Sequence, residues 1–95
     1  MERAVFEKYL MMATEDNDLV SRCRELAQSE IGSTKPETAN VTRADIAYYL
    51  LGTDVRVEHG LGEKEALPAK INDLLMMYRA QLGFLYGSRV KEKTP

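Results

Sequence analysis

A chain of 95 residues with 44% apolar and 29% charged side chains and a net charge of −2 has the balance of one globular domain, far from the charge-rich composition that keeps chains disordered. Its longest apolar runs, such as LLMMY at 74–78, are too short to cross a bilayer, and no basic, apolar, small-residue signal opens it, so neither membrane nor export is expected. The single cysteine, Cys23, admits no internal disulfide and no cysteine-based zinc site, which makes the cytoplasm the expected compartment.

Residues 2–31 contain no Gly and no Pro and are rich in helix formers. Val5, Tyr9, Met12, Leu19, Cys23 and Leu26 recur at helical spacing and predict one apolar stripe. The polar cluster TEDND at 14–18 interrupts that stripe and sets Asp16 on the seam. One long helix with an acidic notch and two helices, the second capped by Asp16 or Asn17, both fit; a break is the favoured reading. Gly32 is a plausible stop, and GSTKPETAN at 32–40 has the composition of a connecting loop.

The next helix start is the clearest local signal. Thr42 followed three residues later by Asp45 has the form of a capping box, with Asp in place of the usual Glu or Gln, and Val41 and Ile46 are spaced as a hydrophobic staple. A helix over residues 43–51 follows, apolar at Ile46, Ala47, Tyr49 and Leu50 and ended by Gly52. The β-branched and glycine-containing segment TDVRVEHGLG that comes after it is poor helix material, open to a short helical turn, an extended piece or a loop.

Pro68 suits the first turn of a helix, so a last helix is expected over residues 67–86. Leu67, Ile71, Leu74, Leu75, Tyr78, Leu82 and Leu85 form one stripe along it, and Met76, Met77 and Phe84 add apolar surface beyond that stripe. A helix apolar over so much of its circumference is either central in its own fold or shared with a second chain. The expected architecture is all-α, a small bundle of three to five helices with little or no strand, in one domain over residues 1–87 with a flexible, weakly basic tail over 88–95.

Catalytic or metal chemistry finds little material. The one His and the one Cys stand thirty-six positions apart, and no set of His, Cys, Asp and Glu has ligand spacing, so no metal and no cofactor are expected. His59 beside Gly60 reads as an exposed loop histidine, and Cys23 on an apolar stripe reads as a small core residue. HGLGEKE lacks the spacing of a phosphate-binding loop. A non-enzymatic protein is the expectation.

Within residues 41–50, VTRADIAYYL resembles the opening of the helix-turn-helix of Crp/Fnr-type transcription regulators, with Thr42, Arg43, Asp45, Ile46, Ala47, Tyr49 and Leu50 as the matching residues. The resemblance implies a recognition helix over residues 54–61 with Arg56, Glu58 and His59 nearest the bases, and Arg43 of the preceding helix as a further contact to DNA. The chain departs from that pattern at Leu51 and Gly52, as though one residue were inserted before the glycine. Residues 42–65 also carry three basic against five acidic side chains, the reverse of what phosphate neutralisation favours.

Two functions follow from these observations. The leading one is a small regulatory or adaptor protein acting by protein–protein contact, as a homodimer or with another protein. Its contact surface is expected on the last helix, at Leu74, Leu75, Met77, Tyr78, Leu82, Phe84 and Leu85. The alternative is a compact DNA-binding regulator using Arg43, Arg56 and His59.

Overall fold

The computed structural model describes residues 2–13, 17–31, 41–63 and 65–86, which form four helices: α1 Arg3–Met12, α2 Asp18–Ile31, α3 Arg43–Glu58 and α4 Ala69–Tyr86. No strand occurs among the described residues, and the fold is all-α. The predicted loop at 32–40 and the predicted tail at 88–95 lie outside the described residues.

The break between α1 and α2 comes at the polar cluster. Asn17 caps α2: its side-chain Oδ1 accepts from the Val20 amide at 2.9 Å and its carbonyl accepts from Ser21 at 2.9 Å. The buried stripe differs from the expected one on both sides of that break. Phe6, Leu10, Ala13, Val20, Cys23 and Ala27 are buried, whereas Val5, Leu19 and Leu26 are each more than a third exposed. At all three positions the buried residue is the one immediately following, because the docking helix, and not the periodicity alone, decides which edge of a broad apolar face turns inward.

α3 begins as its sequence indicates. The Asp45 amide donates to Thr42 Oγ1 at 3.3 Å, Asp45 Oδ2 accepts from the Thr42 amide at 2.9 Å, and Val41 and Ile46 are buried in one cluster. Thr42→Ala is expected to lower stability by about 1 kcal/mol. Urea denaturation of the two proteins measures this directly, and equal midpoints would show that the cap contributes nothing.

The end of α3 differs from expectation. Instead of stopping at Gly52, the helix continues to Glu58, so Thr53–Glu58 lie in the same helix as Thr42's capping box rather than in a second one. Gly52 is buried in mid-helix; a Cβ there would come within 3.1 Å of Arg56 Nη1 and, at 3.5 Å, into ordinary contact with Leu67 Cδ1. The actual stop is Gly60, at φ 68°, with the Gly60 amide bonded to the Val57 carbonyl at 3.1 Å and the Leu61 amide to the Arg56 carbonyl at 2.8 Å. These two bonds make a Schellman motif, which needs the left-handed backbone that glycine adopts without penalty.

α3 is the central element, packed by α1, α2 and α4. One side of it, Ala44, Ala47, Leu51 and Val55, joins Phe6 and Leu10 of α1 with Leu67, Leu75, Tyr78 and Leu82. The other side, Ile46 and Leu50, joins Val41 and Ala13 with Val20, Cys23 and Ala27 of α2. Small residues bring α3 and α4 close: a Cβ placed on Gly83 would sit 3.2 Å from that of Ala44. The two helices run antiparallel, since Ala44 lies by Gly83, Asp45 by Arg79 and Gly52 by Leu67.

Candidate functional site

α4 has two apolar faces, and the core takes only one. Leu75 and Leu82 are fully buried, Tyr78 is buried, and Ile71 and Leu74 are half-buried against the same cluster. Met77 and Phe84 each follow a buried leucine by two residues, a rotation of about 200° that carries them to the opposite side. Phe84 is 91% exposed, and Met76, Met77 and Leu85 are exposed with it. Asp73, Met77, Ala80 and Phe84, all exposed, follow one another at steps of four, three and four, the spacing of a helix-pairing seam.

The seven residues expected to form a contact surface therefore divide. Met77 and Phe84 lie on the free face, and Leu85, beside the core stripe at the end of the helix, is exposed as well. Leu75, Tyr78 and Leu82 are core residues of the chain itself and cannot face a partner, and Leu74 is half-buried beside them. On a helix apolar nearly all round, periodicity merges the two stripes, and only the docking of α3 separates them.

Outside the core, Arg79 joins α2, α3 and α4. Its Nε donates to Asp45 Oδ1 at 2.7 Å, its Nη1 lies 3.5 Å from Glu30 Oε1, and its guanidinium sits 4.9 Å from the centre of the Tyr48 ring. Tyr48 in turn donates from its hydroxyl to Asn72 Oδ1 at 2.8 Å, and burial pushes its pKa up. Asp45 thus both closes the α3 capping box and anchors α4, a double role that no local motif reveals.

The residues expected to read DNA are not gathered into one surface. Arg43 and Arg56 are thirteen residues apart on a continuous helix, about 20 Å along its axis and on different sides of it. Arg56 is engaged within the chain, its Nε donating to the Glu65 carbonyl at 2.7 Å. His59 is the exposed C-cap of α3. Asp54 and Glu58 share its end of the helix.

Those two carboxylates rim a groove of ≈ 370 Å³ between α1, α3 and the start of α4, lined also by Val5, Tyr9, Leu51, Val55, His59 and Ile71. The Tyr9 hydroxyl donates to Asp54 Oδ2 across it. Burial first, then the Asp54 hydrogen bond and the nearby charges of Asp54 and Glu58, raise the Tyr9 pKa to about 12. Folding therefore holds the Tyr9 proton: the stabilisation is whole below pH 10, the unfolded value, and is lost as pH rises through 12. Tyr9→Phe is expected to cost about 1 kcal/mol at pH 8 and to flatten the decline in urea midpoint between pH 10 and 12; an undiminished decline would show that Tyr9 is not its source.

Cys23 is buried, and that burial pushes its thiol pKa up against the lowering influence of Thr53 and Arg22, the reverse of what a reactive thiol needs. Among the described residues no three His, Cys, Asp or Glu side chains converge as metal ligands, and no helix is long and apolar enough to cross a membrane. No family model, curated protein or solved structure matches the chain.

Proposed function

We propose that this chain is a small, non-enzymatic regulatory or adaptor protein of the cytoplasm that works by protein–protein contact through the outer face of α4, with a second copy of itself as the first partner. The observation that carries the reading is Phe84, 91% exposed on a helix whose opposite face is buried, with exposed Met77 two turns before it. An aromatic and a methionine at that spacing are costly to leave in water and well suited to an adaptable contact. The acidic surroundings of Arg56 and His59, and the distance from Arg43, give the DNA reading no comparable support.

Sedimentation of the purified protein over a concentration series, with and without random-sequence duplex at low and high salt, tests this. The expected result is a concentration-dependent dimer unaffected by DNA. A monomer at every concentration would remove self-association. A complex with duplex at low salt that dissolves at high salt would replace the contact reading with electrostatic DNA binding.

A further inference from the structure

We infer that the groove between α1, α3 and the start of α4 receives an arginine side chain of a partner protein, its stem on the apolar floor and its guanidinium between Asp54 and Glu58. This surface is separate from the outer face of α4, and the inference does not rest on the contact proposed there. The floor is apolar: Leu51 and Val55 lie buried at its base, and Val5 and Ile71, which are not buried, complete it. At ≈ 370 Å³ the groove is near the lower end of the roughly 300–1,000 Å³ of sites for small organic groups. It has room for one long side chain and not for a helix.

The negative charge on its rim is uncompensated. Asp54 and Glu58 stand four residues apart on α3, the spacing at which like charges repel one another. Both lie near the C-terminal end of that helix, where unpaired carbonyls already carry partial negative charge. Arg56, the basic residue of the last turn, is two positions from each, about 200° round the helix, and its Nε donates to the Glu65 carbonyl. Lys8 and Lys70, next in sequence to Tyr9 and Ile71, are exposed and do not line the groove. Asp54 accepts from the Tyr9 hydroxyl through Oδ2, and among the described residues neither carboxylate forms an ion pair. Burial and the Asp54 hydrogen bond are the larger causes of the raised Tyr9 pKa, but the charges of both carboxylates add to it, so their field reaches the groove interior.

Arginine matches this pairing of floor and rim. Its hydrocarbon stem packs on methyl groups while its charged head stays at the edge. The planar guanidinium carries five N–H donors, enough to meet Asp54 Oδ1 and Glu58 together. A lysine ammonium is more strongly hydrated and gains less on leaving water. A purely apolar side chain would desolvate the two carboxylates without giving them a partner.

The test titrates the full chain with n-propylguanidinium, the side chain of arginine without its backbone, while ¹H–¹⁵N spectra record which amides shift. Of the lining residues only His59 can gain positive charge near neutrality, so the titration is run at pH 8. Saturable shifts are expected around Val5, Asp54, Glu58 and Ile71. Glu58→Gln, at an exposed position, is expected to weaken binding at least about tenfold with the helices intact by circular dichroism. Phe84→Asp, about 20 Å along α4 from Ile71, should bind as the parent does. No saturable shift, shifts scattered over the whole surface, or a Glu58→Gln protein that binds like the parent would overturn the site. Equal binding of n-butylammonium, the lysine side chain, would overturn the choice of arginine. In a second arm, a capped alanine peptide with one central arginine is expected to shift the same amides; a groove that takes n-propylguanidinium and excludes the peptide would overturn the protein partner in favour of a free cation.

Discussion

Leu82→Ala is expected to destabilise the protein by about 3 kcal/mol, within the range of about 2–5 kcal/mol that leucine-to-alanine changes show in packed interiors. Leu82 is fully buried in the cluster that joins α4 to α3 and α1, one residue before the close approach of Gly83 to Ala44. The helices there are already held near their limit of approach, so the surroundings cannot collapse into the space left behind. A domain of this length has a total stability on the order of 5–14 kcal/mol, and a loss of this size removes a large part of it. The melting temperature should fall by about 12–20 °C. Urea denaturation with an unchanged slope would confirm that only the native packing was altered. A loss below about 1 kcal/mol would mean that α4 does not dock through Leu82.

Two residues further on, the opposite outcome is expected. Phe84→Asp should leave the melting temperature nearly unchanged, since exposed positions away from caps and cores usually shift stability by no more than about 0.5 kcal/mol. Self-association should weaken by at least about 100-fold. Burial of one Phe side chain contributes about 1.5–3 kcal/mol, the two-fold contact uses it twice, and an unpaired carboxylate would have to be desolvated in its place. The association itself is expected to be on the order of micromolar, because a few apolar side chains must offset the lost freedom of two bodies. Sedimentation of both proteins over the same concentrations decides the matter: an unchanged dimerisation constant would exclude the outer face of α4. The contrast between Leu82 and Phe84 is the sharper test, because the same helix should show one residue that matters only for folding and one that matters only for assembly.

Local signals were legible where a few adjacent residues complete the physics. The helix starts are of this kind: Thr42 with Asp45, Val41 with Ile46, the break at the polar cluster before α2, and Pro68 ahead of α4 all depend on neighbours within a turn. The end of α3 was not legible in this way: Gly52 was the expected stop, and Gly60 is the actual one. Nothing in the neighbouring sequence distinguishes a glycine that ends a helix, as Gly60 does, from one buried in mid-helix, as Gly52 is. The candidate face on α4 was legible as a surplus of apolar residues, without its assignment to a side. The Arg79 contacts were not legible, because Glu30, Asp45 and Tyr48 lie far from it in sequence and come together only when three helices dock.

The division follows from the range of the forces concerned. By itself the amino-acid order determined the all-α class, the helix starts and the presence of more apolar surface on the last helix than one contact needs, since these depend on backbone preference and on residues within one turn. Tertiary structure alone decided that α3 runs unbroken through Gly52, that Val20 and not Leu19 is buried, and that Leu75, Tyr78 and Leu82 face the core while Met77 and Phe84 face outward. Those outcomes depend on where a neighbouring helix lies, and burial favours whichever edge of an apolar helix gains the closer packing.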